Sequence, residues 1–334
     1  MDKKERLQGR WTKTERLRGR WAAFEVWCEC RSHRSVRPTA LWVGFVLHPA
    51  AIYFPFCPRM FTEEEKHAWE EWLRTGQWTN LACRAAAFLG RLDLVIAAAK
   101  TAKTENIMIS QYDVFVAAAR GGHKHILTWM RKQHGCHPTP ALVNACAMAA
   151  YGNQDDTLKW LHAQGYPWNE LTCANIAFRG NLPLLQWARA RGCPWDENTC
   201  ASAAEGGHLR VLQWCRAQDP PCPWNESTCN SAARGGLLGV LQWCRAQDPP
   251  CPWNESTCRN AVEGGQLDVL QWCRAQRPPC PWDESTCESA AGRGQLGILK
   301  WCRAQHPPCP WNHASCMRIM AQEHGIKDWI LTQR

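Results

Sequence analysis

Apolar and small positions recur along most of this chain in one pattern. Cys229, Ala232 and Ala233 fall at i, i+3 and i+4, which predicts a short helix with a narrow small-residue face that allows close packing. Leu238, Val240, Leu241, Trp243 and Cys244 predict a second short helix with one apolar side. Gly236 between them supplies the left-handed residue that ends the first helix. Asn225 stands where an N-cap belongs, with Trp224 at N′ and Cys229 at N4, the pairing of a hydrophobic staple. Glu226 in the first turn favours the positive end of the helix dipole. The exit, Asp248-Pro249-Pro250-Cys251-Pro252, cannot be helical, because its prolines remove donors and fix φ.

This pattern repeats. LQWCRAQDPPCPWNESTC occurs at Leu212 to Cys229 and again at Leu241 to Cys258. One Trp register runs through Trp168, Trp195, Trp224, Trp253, Trp282 and Trp311, spaced 27, 29, 29, 29 and 29. The residue after it (Asn169, Asp196, Asn225, Asn254, Asp283, Asn312, and Thr79 in the first copy) is always of a helix-capping type. One Gly register runs through Gly90, Gly122, Gly152, Gly180, Gly207, Gly236, Gly265 and Gly294. The expectation is an all-α solenoid of stacked antiparallel helix pairs over residues 78–334, eight repeats and a partial ninth. Thr62 to Glu65 reads as a capping box opening a capping helix over 62–77. Residues 1–61 read as a poorly ordered basic region with a short apolar stretch.

Composition adds two anomalies, 21 Cys and 21 Trp, and a net charge of +9. Residues 1–40 hold 11 Lys/Arg against 5 Asp/Glu, so nucleic acid or an anionic surface is a candidate partner for that arm. MDKKERLQGR is followed by no apolar h-region, and reduced thiols in cytosol or nucleus are expected. The most apolar run, Leu41 to Phe56, is broken by His48, Pro49 and Pro55 and falls short of the roughly 20 residues a membrane span needs.

The cysteines recur in trios seven apart, Cys215/Cys222/Cys229 and its copies, yet no CxxC occurs. Ala188, Tyr166, Ala145 and Phe115 stand at equivalent positions in other copies, which suits a buried apolar role and not a metal ligand. The sequons at Asn225 and Asn254 are replaced by Asp196 and Asp283 elsewhere, which suits capping and not glycosylation. The tryptophans could form a stacking platform for bases or sugars, but their helical spacing beside Leu and Ala reads as core. His123, His125 and His137 read as surface or capping residues. No catalytic constellation, cofactor motif or phosphate loop is found, and no enzymatic role is expected.

The stretch AAEGGHLRVLQW (Ala203 to Trp214) resembles the ankyrin repeat core, an Ala pair, Gly-His-Leu and an apolar helix; Ala232-Ala233 with Gly236 match less fully. Ser227-Thr228-Cys229-Asn230 stands where ankyrin repeats have Thr-Pro-Leu-His, and a proline-rich loop replaces the Asp/Gly-rich finger. By that analogy the first helix begins near Ser227, two residues later than capping places it. The resemblance implies a non-enzymatic scaffold holding a protein partner along a concave face of first-helix and loop residues. Candidates are positions where copies differ: Asn230, Arg259, Glu288 and Met317; Arg234 and Glu263; and the loop set Asp219, Asp248, Arg277 and His306. Nucleic-acid binding through the basic arm, or a substrate-adaptor role, is the alternative.

Overall fold

The computed structural model describes residues 79–105, 107–319 and 324–332, with isolated helical positions at 67, 71, 72 and 75. The expectations for 1–61 and for most of the 62–77 helix lie outside the described residues. The chain divides into two compact parts, Met1–Cys136 and His137–Arg334. In the first, α1 (Asn80–Phe88) and α2 (Leu92–Glu105) are followed by α3 (Gln111–Gly121) and α4 (Lys124–His134). In the second, a 3-10 turn at Pro140–Leu142 leads into α5 (Asn144–Tyr151) and α6 (Asp155–Ala163). The repeats then run α7 (Glu170–Phe178) and α8 (Leu182–Arg189), α9 (Glu197–Glu205) and α10 (Leu209–Arg216), α11 (Glu226–Arg234) and α12 (Leu238–Arg245). They continue with α13 (Glu255–Glu263) and α14 (Leu267–Ala275), α15 (Glu284–Gly292) and α16 (Leu296–Arg303), and end with α17 (His313–Ile319) and α18 (His324–Leu331).

Local chemistry sets these limits. Helix α11 starts at Glu226 because the Asn225 side chain accepts from the Ser227 amide at 2.9 Å, so the capping boundary holds and the later start near Ser227 does not. Asp196, Asn254 and Asp283 cap in the same way, while Asn169 makes no such bond. At the other end Gly236 has φ +71° and Leu237 donates its amide to the Ala232 carbonyl at 2.9 Å, closing the helix. One glycine expectation is corrected. After α5 the left-handed residue is Asn153, φ +57°, and not Gly152; Asn is a non-glycine residue that tolerates this region because its short amide bonds locally.

The first helices α7, α9, α11, α13, α15 and α17 pack on one another in sequence, and each second helix packs on the first helix of its own repeat. The seam is made of small groups. Cys229, Ala232 and Ala233 from α11, Leu241 and Cys244 from α12, and Cys251 from the following loop are all 0 % exposed. Small side chains permit the close approach, and burying each Leu contributes about 1.5–3 kcal/mol.

Histidine and glycine tie some repeats together. The His208 Nε2 lies 3.1 Å from the Phe178 carbonyl, and its ring covers Gly180 and Gly206 of adjacent repeats. His123 stands likewise over Gly90 and Gly121, with Nε2 2.8 Å from the Phe88 carbonyl, and His125 reaches the Gly90 carbonyl at 3.1 Å.

A Cβ on Gly180 would sit 2.4 Å from the His208 ring at φ +71°, so Gly180→Ala is expected to lower stability by at least about 1–2 kcal/mol. Gly239 lies inside α12 with open space around it, so Gly239→Ala should raise stability by about 0.5–1 kcal/mol. Urea unfolding midpoints with unchanged slope check both. Burial holds the His123 imidazole below its ordinary pKa, so its neutral form is favoured in the fold. That contribution is complete above the unfolded value of about 6.5 and is lost as pH falls below it. Gln occupies the same position at Gln266 and Gln295. Thermal unfolding from about pH 7.5 to about pH 5 should therefore cost the native chain more than it costs His123→Gln.

Candidate functional site: an arginine–tryptophan ladder

The tryptophans expected in the core are not there. In the second part every register Trp and every second-helix Trp is half-buried, and the largest fully buried side chains there are Tyr166, Ile176 and leucines. In the near-identical repeats the seam between neighbouring first helices is filled by Cys and Ala, and the indoles stand outside it. The tryptophans lie along the second helices and loops.

They form rungs. Trp195 meets Trp214 edge to face at 6.0 Å between ring centroids, and Trp224–Trp243, Trp253–Trp272 and Trp282–Trp301 repeat this at 6.1, 6.1 and 6.2 Å. Each rung carries an arginine from the preceding second helix. The Arg189 guanidinium lies 3.9 Å from the Trp195 ring centre, Arg216 4.1 Å from Trp224, and Arg245 4.1 Å from Trp253. Arg274 lies 3.9 Å from Trp282 and Arg303 4.6 Å from Trp311. One Nη1 of each guanidinium donates to a loop carbonyl, as Arg216 does to Cys222 at 2.5 Å and Arg303 to Cys309 at 2.6 Å. The rung at Trp168 departs from this: His162 stands in the arginine position, stacked on Trp168 at 3.8 Å.

The loops that hold the rungs are closed from within. Cys251 donates its amide to the Cys244 carbonyl at 3.0 Å and its thiol to the Asn225 carbonyl at 3.4 Å. Gln218, Gln247, Gln276 and Gln305 donate Nε2 to the carbonyls of Trp214, Trp243, Trp272 and Trp301 at 2.9, 2.9, 3.0 and 3.0 Å. The bonds Asp219–Pro220, Asp248–Pro249, Arg277–Pro278 and His306–Pro307 are cis. Trp195 and Trp214, with Arg189, Gln218 and Asp219, line a cleft of about 290 Å³.

Charge divides between the two sides of the repeats. The second-helix and loop segments 181–195, 208–224, 237–253, 266–282 and 295–311 carry nine Lys/Arg and three Asp/Glu. The first-helix segments 196–207, 225–236, 254–265 and 283–294 carry nine Asp/Glu and three Lys/Arg. The ladder therefore lies in the basic segments.

The sites singled out from sequence fall into two groups that the structure keeps separate. Asp219, Asp248, Arg277 and His306 are exposed in the loops beside the rungs. Asn230, Arg259, Glu263, Glu288 and Met317 are half-buried on first helices, and Arg234 is exposed at the end of α11. Asn230 accepts from the Thr257 hydroxyl of the next repeat at 2.6 Å. Glu263 pairs with Arg259 at 3.8 Å and with Arg293 of the next repeat at 3.7 Å. These first-helix differences are thus engaged with neighbouring residues of the same chain. The ladder arginines were not singled out, although their recurrence at one register position is visible in the sequence. Among the described residues no three His, Cys, Asp or Glu side chains are grouped as a metal site requires, and no helix is long and apolar enough to cross a membrane.

No family model and no curated protein matches the chain. Among solved structures it is similar to the pentatricopeptide repeat protein PPR10 in complex with an 18-nt psaJ RNA element, at 15 % identity over 83 % of this chain and 49 % of that one, TM-score 0.43. A triple Cys-to-Ser variant of that protein, with the same RNA element, gives the same values. PPR10 from maize gives 13 % identity over 80 % of this chain and 42 % of that one, TM-score 0.30. The chain spans about half the length of these structures. It is an all-α protein of repeated helix pairs, and no enzymatic role is assigned to it. The ankyrin resemblance is corrected: the similar structures are pentatricopeptide repeat proteins, and the described residues contain no strand where an ankyrin finger would lie. The scaffold function drawn from it, a protein partner along first helices, is corrected with it.

All 18 cysteines among the described residues are buried. Burial pushes the Cys83 and Cys146 thiols up to about 12, and those of Cys229 and Cys258 are raised by hydrogen bonding with Cys251 and Cys280 and then by burial. A thiol reagent at mildly alkaline pH should therefore modify these cysteines only after denaturant is added, read peptide by peptide by mass spectrometry. Rapid native labelling of Cys229 or Cys258 would contradict the packing described.

Proposed function

We propose that the array binds single-stranded nucleic acid along its second-helix and loop side. The observation that carries this is the ladder itself: five arginines at repeat spacing, each stacked on a half-buried Trp in basic segments of the chain. A guanidinium has five N–H donors, and among the described residues these arginines make only the loop-carbonyl bond. Stacking and that bond hold each guanidinium in place before any ligand arrives, which lowers the ordering cost of meeting a phosphate oxygen. The half-buried indoles beside them suit unpaired bases, whose stacking contributes roughly 1–3 kcal/mol each. The RNA in the similar structure is that protein's; the reading for this chain stands on its own residues. The basic segment 1–40 would add phosphate contacts of its own. Location in cytosol or nucleus fits this reading.

Anisotropy of a labelled single-stranded oligonucleotide, with the full-length chain, tests it. Binding should quench tryptophan emission and weaken with salt, and the slope of log K against log salt should fall by about 2 in the Arg216→Gln, Arg245→Gln, Arg274→Gln triple variant. Duplex of the same sequence should bind more weakly. Unquenched emission, or a triple variant with wild-type affinity and slope, would overturn the reading.

A further inference from the structure

Among the described residues the first Trp–Trp rung in chain order is Trp168–Trp187, with ring centroids 5.9 Å apart. It differs in charge from the rung that follows. At that next junction the cleft beside Trp195 and Trp214 is lined by Gln186, Arg189, Gln218 and Asp219. The residues 27 positions earlier, around Trp168 and Trp187, are Lys159, His162, Arg191 and Gly192. Two neutral amides are thus replaced by cations, a guanidinium by an imidazole, and the loop carboxylate by glycine.

The exchanges bring basic groups onto one indole. The Arg191 guanidinium lies 4.7 Å from the Trp187 ring centre and the Lys159 ammonium 5.9 Å from it. His162 meets the same ring edge on at 5.7 Å while it stacks on Trp168 at 3.8 Å. Arg191 donates Nη1 to the Trp187 carbonyl at 3.4 Å, the bond that Gln218 makes to Trp214 at the next junction. Its other donors are therefore held near the indole. Lys159 and Arg191 are exposed, and His162 is half-buried.

An internal phosphodiester carries one negative charge. A terminal phosphomonoester carries about −1.5 to −2 near neutral pH, with three strong acceptor oxygens. Two fixed cations and an imidazole with no loop carboxylate beside them match the second group better than the first. Burial and then the Arg191 charge hold the His162 imidazole below its ordinary pKa, and a dianion beside it favours the protonated form. The place in the array agrees, because a strand lying along the ladder would meet its first rung here.

Resting on the nucleic-acid reading, we infer that Lys159, His162 and Arg191 around Trp187 bind the terminal phosphomonoester of a single strand that lies along the ladder.

The test uses the full-length chain and one internally labelled single-stranded oligonucleotide in three forms: 5′-phosphorylated, 3′-phosphorylated and with hydroxyl at both ends. Anisotropy gives the three affinities. One of the phosphorylated forms should bind about tenfold more tightly than the hydroxyl form, the gain that one hydrogen bond to a charged group gives. In the Lys159→Gln, Arg191→Gln double variant, which places the next junction's residues here, that ratio should fall to about one. Both positions are exposed, and circular dichroism verifies the fold. Arg216→Gln, Arg245→Gln, which removes the same charge from later rungs, should weaken all three forms and keep the ratio. Equal affinity of the unsubstituted chain for the three forms, or a ratio that survives in the Lys159→Gln, Arg191→Gln variant, overturns the terminal site while nucleic-acid binding stands. No binding of any form overturns both.

Discussion

The guanidinium of Arg216 and its copies joins the two halves of each repeat junction. It donates to the carbonyl of the loop cysteine and stacks on the Trp that follows. The first contact fixes a loop that three prolines keep out of helix, so its backbone cannot close on itself by helical bonds. The second holds an indole at the surface of the repeat, where burial alone would not place it. A half-buried stacked cation contributes about 0.5–1 kcal/mol at an exposed site and more as water is excluded. This one side chain thus links the loop to the rung at each junction that carries it.

The seam beneath makes the spacing regular. Cys229, Ala232 and Ala233 let adjacent first helices approach closely, and the Cys251 thiol meets a backbone carbonyl. A methyl group would fill much of the same space, which is why Ala188 and Ala145 can stand at cysteine positions. Phe115 and Tyr166 take the same positions in the diverged copies and are buried there too, while the tryptophans lie on the second helices and loops. With acidic residues concentrated in the first-helix segments and basic residues in the second-helix and loop segments, the tryptophans fall among positive charges.

Helix limits were legible in the sequence because their causes are local. Asn225, Asp196, Asn254 and Asp283 cap, Gly236 terminates, and the prolines interrupt. The tryptophans were misplaced because periodicity shows that a face is apolar without showing what covers it. Trp243 beside Leu241 looks like core, yet Leu241 is buried while Trp243 is only half-buried. Gly152 misled for a related reason: the alignment matched the glycine but the backbone places Asn153 at positive φ. The ladder was missed by a choice of where to look. Candidate residues are sought where copies differ, whereas the ladder residues recur unchanged from copy to copy.

The most direct measurement is ultraviolet cross-linking of a single-stranded oligonucleotide to the full-length chain, with the linked peptides identified by mass spectrometry. The account places cross-links on peptides containing Trp195, Trp214, Trp224, Trp243, Trp253 and Trp272, in several successive repeats. Cross-links confined to residues 1–40, or to first-helix peptides such as those around Asn230 and Glu288, would contradict it.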